Sequence, residues 1–315
     1  MTTAAQPPPP VASELALRTE IWASLQELNT DALTAGEVRS FGIYRGQAGI
    51  WADKDRTKTL TPDGQGVAVS VLHTGRSYPD DLSDDALLYH YPHTDRIGST
   101  DANEVASMKW AKYFQLPIFT ILPSPQGSSF RAVRLAWVED FDDGAAIFLI
   151  GFGEKPAGPA LPETDDVPFN LKDPPSNSPK KAAGKARPGQ QAFAMKVFHR
   201  YGPACAVCEI AYPGLVDAAH LCPKEDSGCD DARNGLPLCT LHHRALDRKL
   251  WAIDPASTAL KDRPQGPSLA ELRISRSSLH HLPALPHVDA LTYIWKIWSP
   301  ELSVRSLSTD PERRD

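Results

Sequence analysis

Apolar residues recur at helical spacing near the start of the chain and at strand spacing through most of its first half. From Ser13 to about Leu28, positions Leu17, Ile21, Trp22, Leu25 and Leu28 follow a helical period and Ser13 is placed to cap it, so a helix is predicted there. The tracts FGIYRGQAGIWA, GVAVSVLHTG, ALLYHYP, PIFTILP, RAVRLAWVED and AAIFLIGFG come next. They are rich in β-branched and aromatic residues and punctuated by Gly and Pro, which predicts an all-β core. One helix interrupts them in DANEVASMKWAKYF, where Asp101 caps, Glu104 sits three residues on, and Val105, Met108 and Ala111 give the apolar face.

The pattern lapses between residues 154 and 188, where Pro, Ser, Gly and Lys dominate, as in a linker between domains. QQAFAMKVFHRYG then resumes as a helix. The expected organisation is a disordered tail (1–12), a first domain (13–153), the linker (154–188), a second domain (189–300) and a tail (301–315). A chain of 315 residues can bury two such cores. No run of about 20 apolar residues occurs, so no membrane span is expected. The opening MTTAAQPPPPVASELAL lacks a basic n-region and an apolar h-region, and five cysteines cannot form a complete disulfide set. The cytoplasm is the expected compartment.

Charge narrows the class of partner. The net charge is −6; residues 1–153 hold 12 Lys and Arg against 19 Asp and Glu, and the rest 21 against 20. Neither half is a polycation. A nucleic-acid partner would be held by local patches and pockets, with binding sensitive to salt.

The densest chemistry lies between Cys205 and Asp254. Cys205/Cys208 and Cys239/His242 are two close pairs of the kind that give zinc four S and N ligands. Cys222 and Cys229 flank a polar loop and are expected to be bystanders. The pieces YGPACAVC, DAAHL, DDARNGLPLC and HHRALDRKLWAID resemble the McrA-like branch of the HNH nucleases, the ββα-metal family, over about residues 187–254. The resemblance implies a zinc-stapled β-hairpin and helix gripping one divalent cation, Mg²⁺ or Mn²⁺. It makes His220 the general base, since a neutral imidazole takes a proton from water near pH 7. Asn234 would tie the connecting loop, and His243 would bind the catalytic cation with Asp247, one helical turn on, as second ligand. Spacing assigns His242 to zinc and its neighbour to catalysis, because consecutive helical residues face about 100° apart. One position departs from the pattern. Many members carry Asp or His just before the base, where this chain has Ala219. Asp217 is nearby, but strand alternation points it away from the His220 face.

GVAVSVLHTGRSYPDDLSDDALLYHYP, residues 66–92, resembles the SRA (YDG) domains, PUA-like β-barrels that read 5-methylcytosine in DNA. YPDD keeps a Tyr and both acids of that pattern, HTG stands where a Gly turn is usual, and YHYP closes the stretch. The fold implied for the whole chain is α+β: an SRA-like barrel with flanking helices, then the HNH unit. A modified base must leave the stack to be inspected. By this resemblance Tyr78, Tyr89 and Tyr91 would line the pocket, with Asp81 accepting from the cytosine N4 amine. Arg45, His73 and Arg76 would contact the DNA. The expected partner is double-stranded DNA carrying 5-methyl- or 5-hydroxymethylcytosine, cut by a homodimer, because one centre cuts one strand. A phosphorothioate-dependent nuclease and a non-catalytic reader with a zinc fold are the alternatives.

Overall fold

The computed structural model describes residues 9–45, 49–74, 81–94, 100–156, 167–172, 189–212, 214–264 and 266–299. The chain divides into two compact units, residues 1–160 with 181–191, and residues 161–180 with 192–315. Among the described residues, no helix is long and apolar enough to cross a membrane.

The first unit opens with helix α1 (Pro9–Gln26). This helix overruns the expected tail, because proline is tolerated in a first turn, where its missing N–H would have no partner. Val11, 3 % exposed, already packs into the core. Strand β1 (Leu33–Thr34) leads into α2 (Ala35–Ser40), fixed by a capping box in which Thr34 accepts from the Glu37 N–H and the Glu37 carboxylate accepts in return. Among the described residues, the tract expected as one strand from Phe41 is a strand at its end, β2 (Ile50–Ala52), followed by the short helix α3 (Lys54–Thr57). Strands β3 (Ala68–Leu72) and β4 (Ala86–His90), helix α4 (Thr100–Phe114), and strands β5 (Ile118–Pro123), β6 (Phe130–Asp142) and β7 (Ile147–Phe152) follow the sequence pattern closely.

These strands form one seven-stranded sheet in the order β2-β3-β5-β6-β7-β4, with β1 on β6. The β3–β5 pair is parallel and the others are antiparallel. The described pairings leave the path open between β2 and β4, so they do not close the expected barrel. Period-two alternation sends neighbours to opposite cores. Ile118 joins Leu87, Met108, Phe148 and Ile150, while Phe119 and Ile121 join Leu25, Leu33, Val38 and Val133. Helix α1 is pinned by Arg18, fully buried, which donates to Glu14 (2.7 Å) and to the carbonyls of Ala68 (2.8 Å) and Pro117 (2.6 Å). A buried guanidinium is tolerable only with such partners.

In the second unit, helix α5 (Gln190–Tyr201) precedes an antiparallel hairpin of β8 (Val216–His220) and β9 (Gly235–Cys239). Helix α6 (Thr240–Asp247) begins directly after β9, completing a ββα unit. A second hairpin, β10 (Trp251–Ile253) and β11 (Leu260–Asp262), and helix α7 (Val288–Trp298) finish the described chain. The C-terminal aromatic tract serves this core: α7 buries Leu291, Ile294 and Trp298.

Part of the expected linker is structure. Residues 167–172 lie along the second unit, where the Cys229 N–H donates to the Leu171 carbonyl (3.0 Å) and Lys172 forms an antiparallel bridge with Gly228. Arg233 donates to the Val167 carbonyl (2.8 Å), and Phe169 stacks on His287 with ring centres 4.0 Å apart. A Pro-rich composition disfavours regular structure but leaves an extended strap free to dock through its backbone and one aromatic anchor.

Candidate active site

Cys205, Cys208, Cys239 and His242 place their ligand atoms within 4.8 Å of one another; among the described residues no other such group of three or more is present. Sγ of Cys205 lies 3.5 Å and Sγ of Cys239 3.1 Å from Nδ1 of His242, and the thiols of Cys208 and Cys239 are 4.0 Å apart. A tetrahedral ion with ligands at about 2.0–2.3 Å needs separations of roughly 3.5–3.8 Å, so the four fit one metal ion. His242 donates through Nε2 to the Leu272 carbonyl (2.9 Å), which fixes the tautomer and leaves Nδ1 to ligate. Its own carbonyl accepts from the fully buried Trp251 indole (3.3 Å). Burial pushes the Cys205 thiol up, but the His242 hydrogen bond and the backbone at Cys239 and Val207 bring it down to about 6. Burial, then the charge of Cys205, push Cys208 up to about 12.

His220 ends β8, opposite Gly235. Its Nε2 lies 3.0 Å from Oδ1 of Asp230, whose Oδ2 is 2.7 Å from Nζ of Lys224. Phe193 of α5 stacks on the imidazole at 3.7 Å, with planes 12° apart. Gly235 makes that approach possible: a Cβ there would stand 2.6 Å from the Phe193 ring and 2.7 Å from Val197. Asn234, fully buried, holds the loop between β8 and β9 shut. Its amide donates to the carbonyls of Cys222 (3.0 Å) and Cys229 (2.9 Å) and accepts from the Cys222 N–H (2.8 Å). Asp230, Lys224 and Phe193 were not legible as site residues, since only the closed loop and the packed helix bring them to His220.

His243 is carried by α6, the helix that follows β9. Its Nδ1 is 3.6 Å from Oδ2 of Asp217 and its Nε2 is 3.9 Å from Oδ2 of Asp247. Asp217, expected to point away from the His220 face, lies beside His243. It is in phase with Ala219, on the side that α6 covers, so it reaches His243 from β8. The helical histidine therefore has a carboxylate beside each ring nitrogen, at separations that suit shared coordination or a relaxed orienting contact.

In the first unit, Tyr78 and Arg76 lie outside the described residues. Asp81 contacts His90, with Oδ2 3.0 Å from Nε2, and His73 is close enough to feel both charges. His73 is only 9 % exposed, because β3 carries it on into the interior; it is not a surface grip for phosphate. Burial holds its pKa down, partly opposed by Asp81. Arg45 is exposed, as a DNA contact requires. Tyr91 stacks on Phe148 (4.5 Å) and donates to Asp143 (2.9 Å), and Tyr89 packs against the same core cluster. Both rings pack on the strand core of the unit. A cavity of about 270 Å³ opens elsewhere in the unit, lined by Val38, Arg39, Tyr44, Leu72, Ile121 and Arg131, with none of the expected pocket residues.

Residues 205–254 match the HNH endonuclease family profile. This segment is an HNH endonuclease domain. It coincides with the Cys205, Cys208, Cys239 and His242 cluster, the β8–β9 hairpin and α6. No curated protein is matched by the whole sequence. Among solved structures, the modification-dependent TagI restriction endonuclease is similar at 16 % identity and a TM-score of 0.33, over 84 % of this chain and 90 % of that one. The SUVH5 SRA domain, solved with fully hydroxymethylated CG DNA, is similar at 19 % identity and a TM-score of 0.28, over 41 % of this chain and 89 % of its own. The type IV phosphorothioation-dependent restriction endonuclease ScoMcrA is similar at 15 % identity and a TM-score of 0.24, over 75 % and 59 %.

Proposed function

We propose that the chain is a modification-dependent DNA endonuclease, in which the first unit holds a modified cytosine rotated out of the duplex and the HNH domain hydrolyses a nearby phosphodiester bond. The observation that carries the hydrolytic half is His220, placed at a strand end with its ring held by Asp230 and Phe193. His220 takes a proton from the attacking water, the new bond forms at phosphorus, and the bond to the 3′-oxygen breaks. His243 and Asp247 would hold the divalent cation, with Asp217 across the ring. Mg²⁺ or Mn²⁺ would neutralise the scissile phosphate and the leaving oxygen. Asn234 acts at a distance, by keeping the loop closed. Zinc is the ion that suits the three thiols and one imidazole of the buried cluster.

For the reader, Asp81 is the group suited to accept from a cytosine N4 amine. An apolar niche for the 5-methyl group would add on the order of 1 kcal/mol of preference. A homodimer would supply the second centre that a double-strand break requires.

The test is cleavage of three supercoiled plasmids, unmodified, cytosine-5-methylated and phosphorothioated, in Mg²⁺ or Mn²⁺, by the native chain and by His220→Ala. Cutting confined to the methylated plasmid and lost in H220A is the expected result. Equal cutting of all three sinks the reader, cutting only of the phosphorothioated plasmid reassigns its ligand, and no cutting under any cation sinks the nuclease activity.

A further inference from the structure

The closed loop between β8 and β9 carries Asp230, and its geometry bears on the chemistry of the neighbouring base. We infer that Asp230 is the positioning residue for His220, holding the proton on Nε2 so that the Nδ1 lone pair is the one presented to water; this rests on His220 being the base. Three observations converge on it.

First, the contact is direct and shielded. Nε2 of His220 and Oδ1 of Asp230 are 3.0 Å apart, with the side chains 16 % and 28 % exposed. An ionised carboxylate has no proton to give, so the hydrogen between them belongs to the imidazole. Burial raises the Asp230 carboxyl, but hydrogen bonds from His220 and Lys224 outweigh it and hold the group below the usual carboxylate range. A neutral imidazole protonated at Nε2 carries its lone pair on Nδ1.

Second, the ring has little freedom to turn. Phe193 lies flat against it at 3.7 Å, and it does so over Gly235. The imidazole plane is therefore set by packing and its rotation about that plane by Asp230.

Third, the carboxylate is itself held. Lys224 binds its second oxygen at 2.7 Å. Asn234 staples Cys222 to Cys229, the residue before Asp230. Inside the staple the chain turns too tightly for a side chain at Gly228, where a Cβ would meet the Cys222 carbonyl oxygen at 1.8 Å. The buried asparagine thus reaches the base in two steps: it closes the loop, and the closed loop delivers the carboxylate. An aspartate fixed in this way orients a histidine and stabilises its protonated form as the proton arrives, the part played by the acid of a hydrolase triad.

The experiment compares the full-length native chain with Asp230→Asn and Asp230→Glu on the cytosine-5-methylated supercoiled plasmid, alongside ¹⁵N NMR of histidine-labelled protein assigned by His220→Gln. Loss of an orienting carboxylate costs between about 10-fold and 10⁴-fold in turnover. D230N should fall in that range in kcat, with KM for plasmid, zinc content and melting temperature unchanged. D230E should recover part of the rate, and His220 should go from protonated at Nε2 in the native chain to mixed tautomers in D230N. Native turnover by D230N, or a native His220 protonated at Nδ1, overturns the assignment. If D230N loses zinc and does not fold, the native tautomer alone decides. If H220Q cuts as fast as the native chain, the base itself is misassigned, an outcome distinct from failure of D230N to slow the reaction.

Discussion

Within one short helix, His242 is buried against three thiols, whereas His243 is 30 % exposed between two carboxylates. The two are adjacent in sequence, and the helical turn between them separates two kinds of site. The cluster around His242 has its ligand atoms gathered within 4.8 Å and its ring locked by a backbone carbonyl. Around His243 the nearest carboxylate oxygens stand 3.6 and 3.9 Å off, on half-exposed side chains. The first arrangement suits an ion that stays for the life of the fold. The second suits one that keeps open positions for substrate and water. By this reading, softness of ligand and depth of burial, more than distance along the chain, would divide structural from hydrolytic duty.

The sharpest break of this comparison is a pair of substitutions. His242→Ala should lose the metal and unfold the second unit, because binding energy at a structural zinc site is folding energy. His243→Ala should keep the zinc and a native melting temperature while nicking falls by about 10²-fold or more, the worth of several kcal/mol of charge stabilisation. Metal analysis, calorimetry and a plasmid assay on both proteins check this; equal loss of zinc in the two would erase the distinction. A finer cut follows at the two carboxylates. Whichever of Asp217→Asn and Asp247→Asn removes a ligand should raise the Mn²⁺ concentration for half-maximal nicking the more, and the one that removes an orienting contact should cost about 10–100-fold. In the first unit, Asp81→Asn should weaken binding of methylated DNA by about 10–100-fold, corresponding to about 1–3 kcal/mol for one base contact, in competition binding.

The gentlest probe is pH. Zinc binding releases protons from thiols, so acid competes at the cluster. Asp230 is held below the ordinary carboxylate range, burial notwithstanding, by His220 and Lys224. Its contribution to stability is therefore present above its unfolded value and lost as pH falls through the lower folded one. Zinc release, followed with a chromogenic chelator, should precede the loss of the Asp230 contribution, followed by melting temperature in D230N against the native chain.

The metal cluster was legible because its ligands come in two close pairs, a spacing that survives almost any fold between them. The main strands were legible for a similar reason: alternation and β-branching are local. What escaped depends on closure. Asp230 becomes a partner of His220 only when Asn234 shuts the loop, and Asp217 rejoins the site only because α6 covers the face it shares with Ala219. His73 reads as a surface cation until β3 is seen to carry it inward. Phe169, a lone aromatic among prolines, was the available sign that part of the linker docks, and the Thr34–Glu37 capping box was a sign of α2.

The hydrogen bond from Trp251 to the backbone of His242 has a practical consequence. A fully buried indole hydrogen-bonded to a residue of the thiol–imidazole cluster would be a built-in optical gauge. Withdrawal of the ion should alter the polarity around that ring before the rest of the domain moves, so the emission difference between the native chain and Trp251→Phe would follow metal loading in real time, without a label.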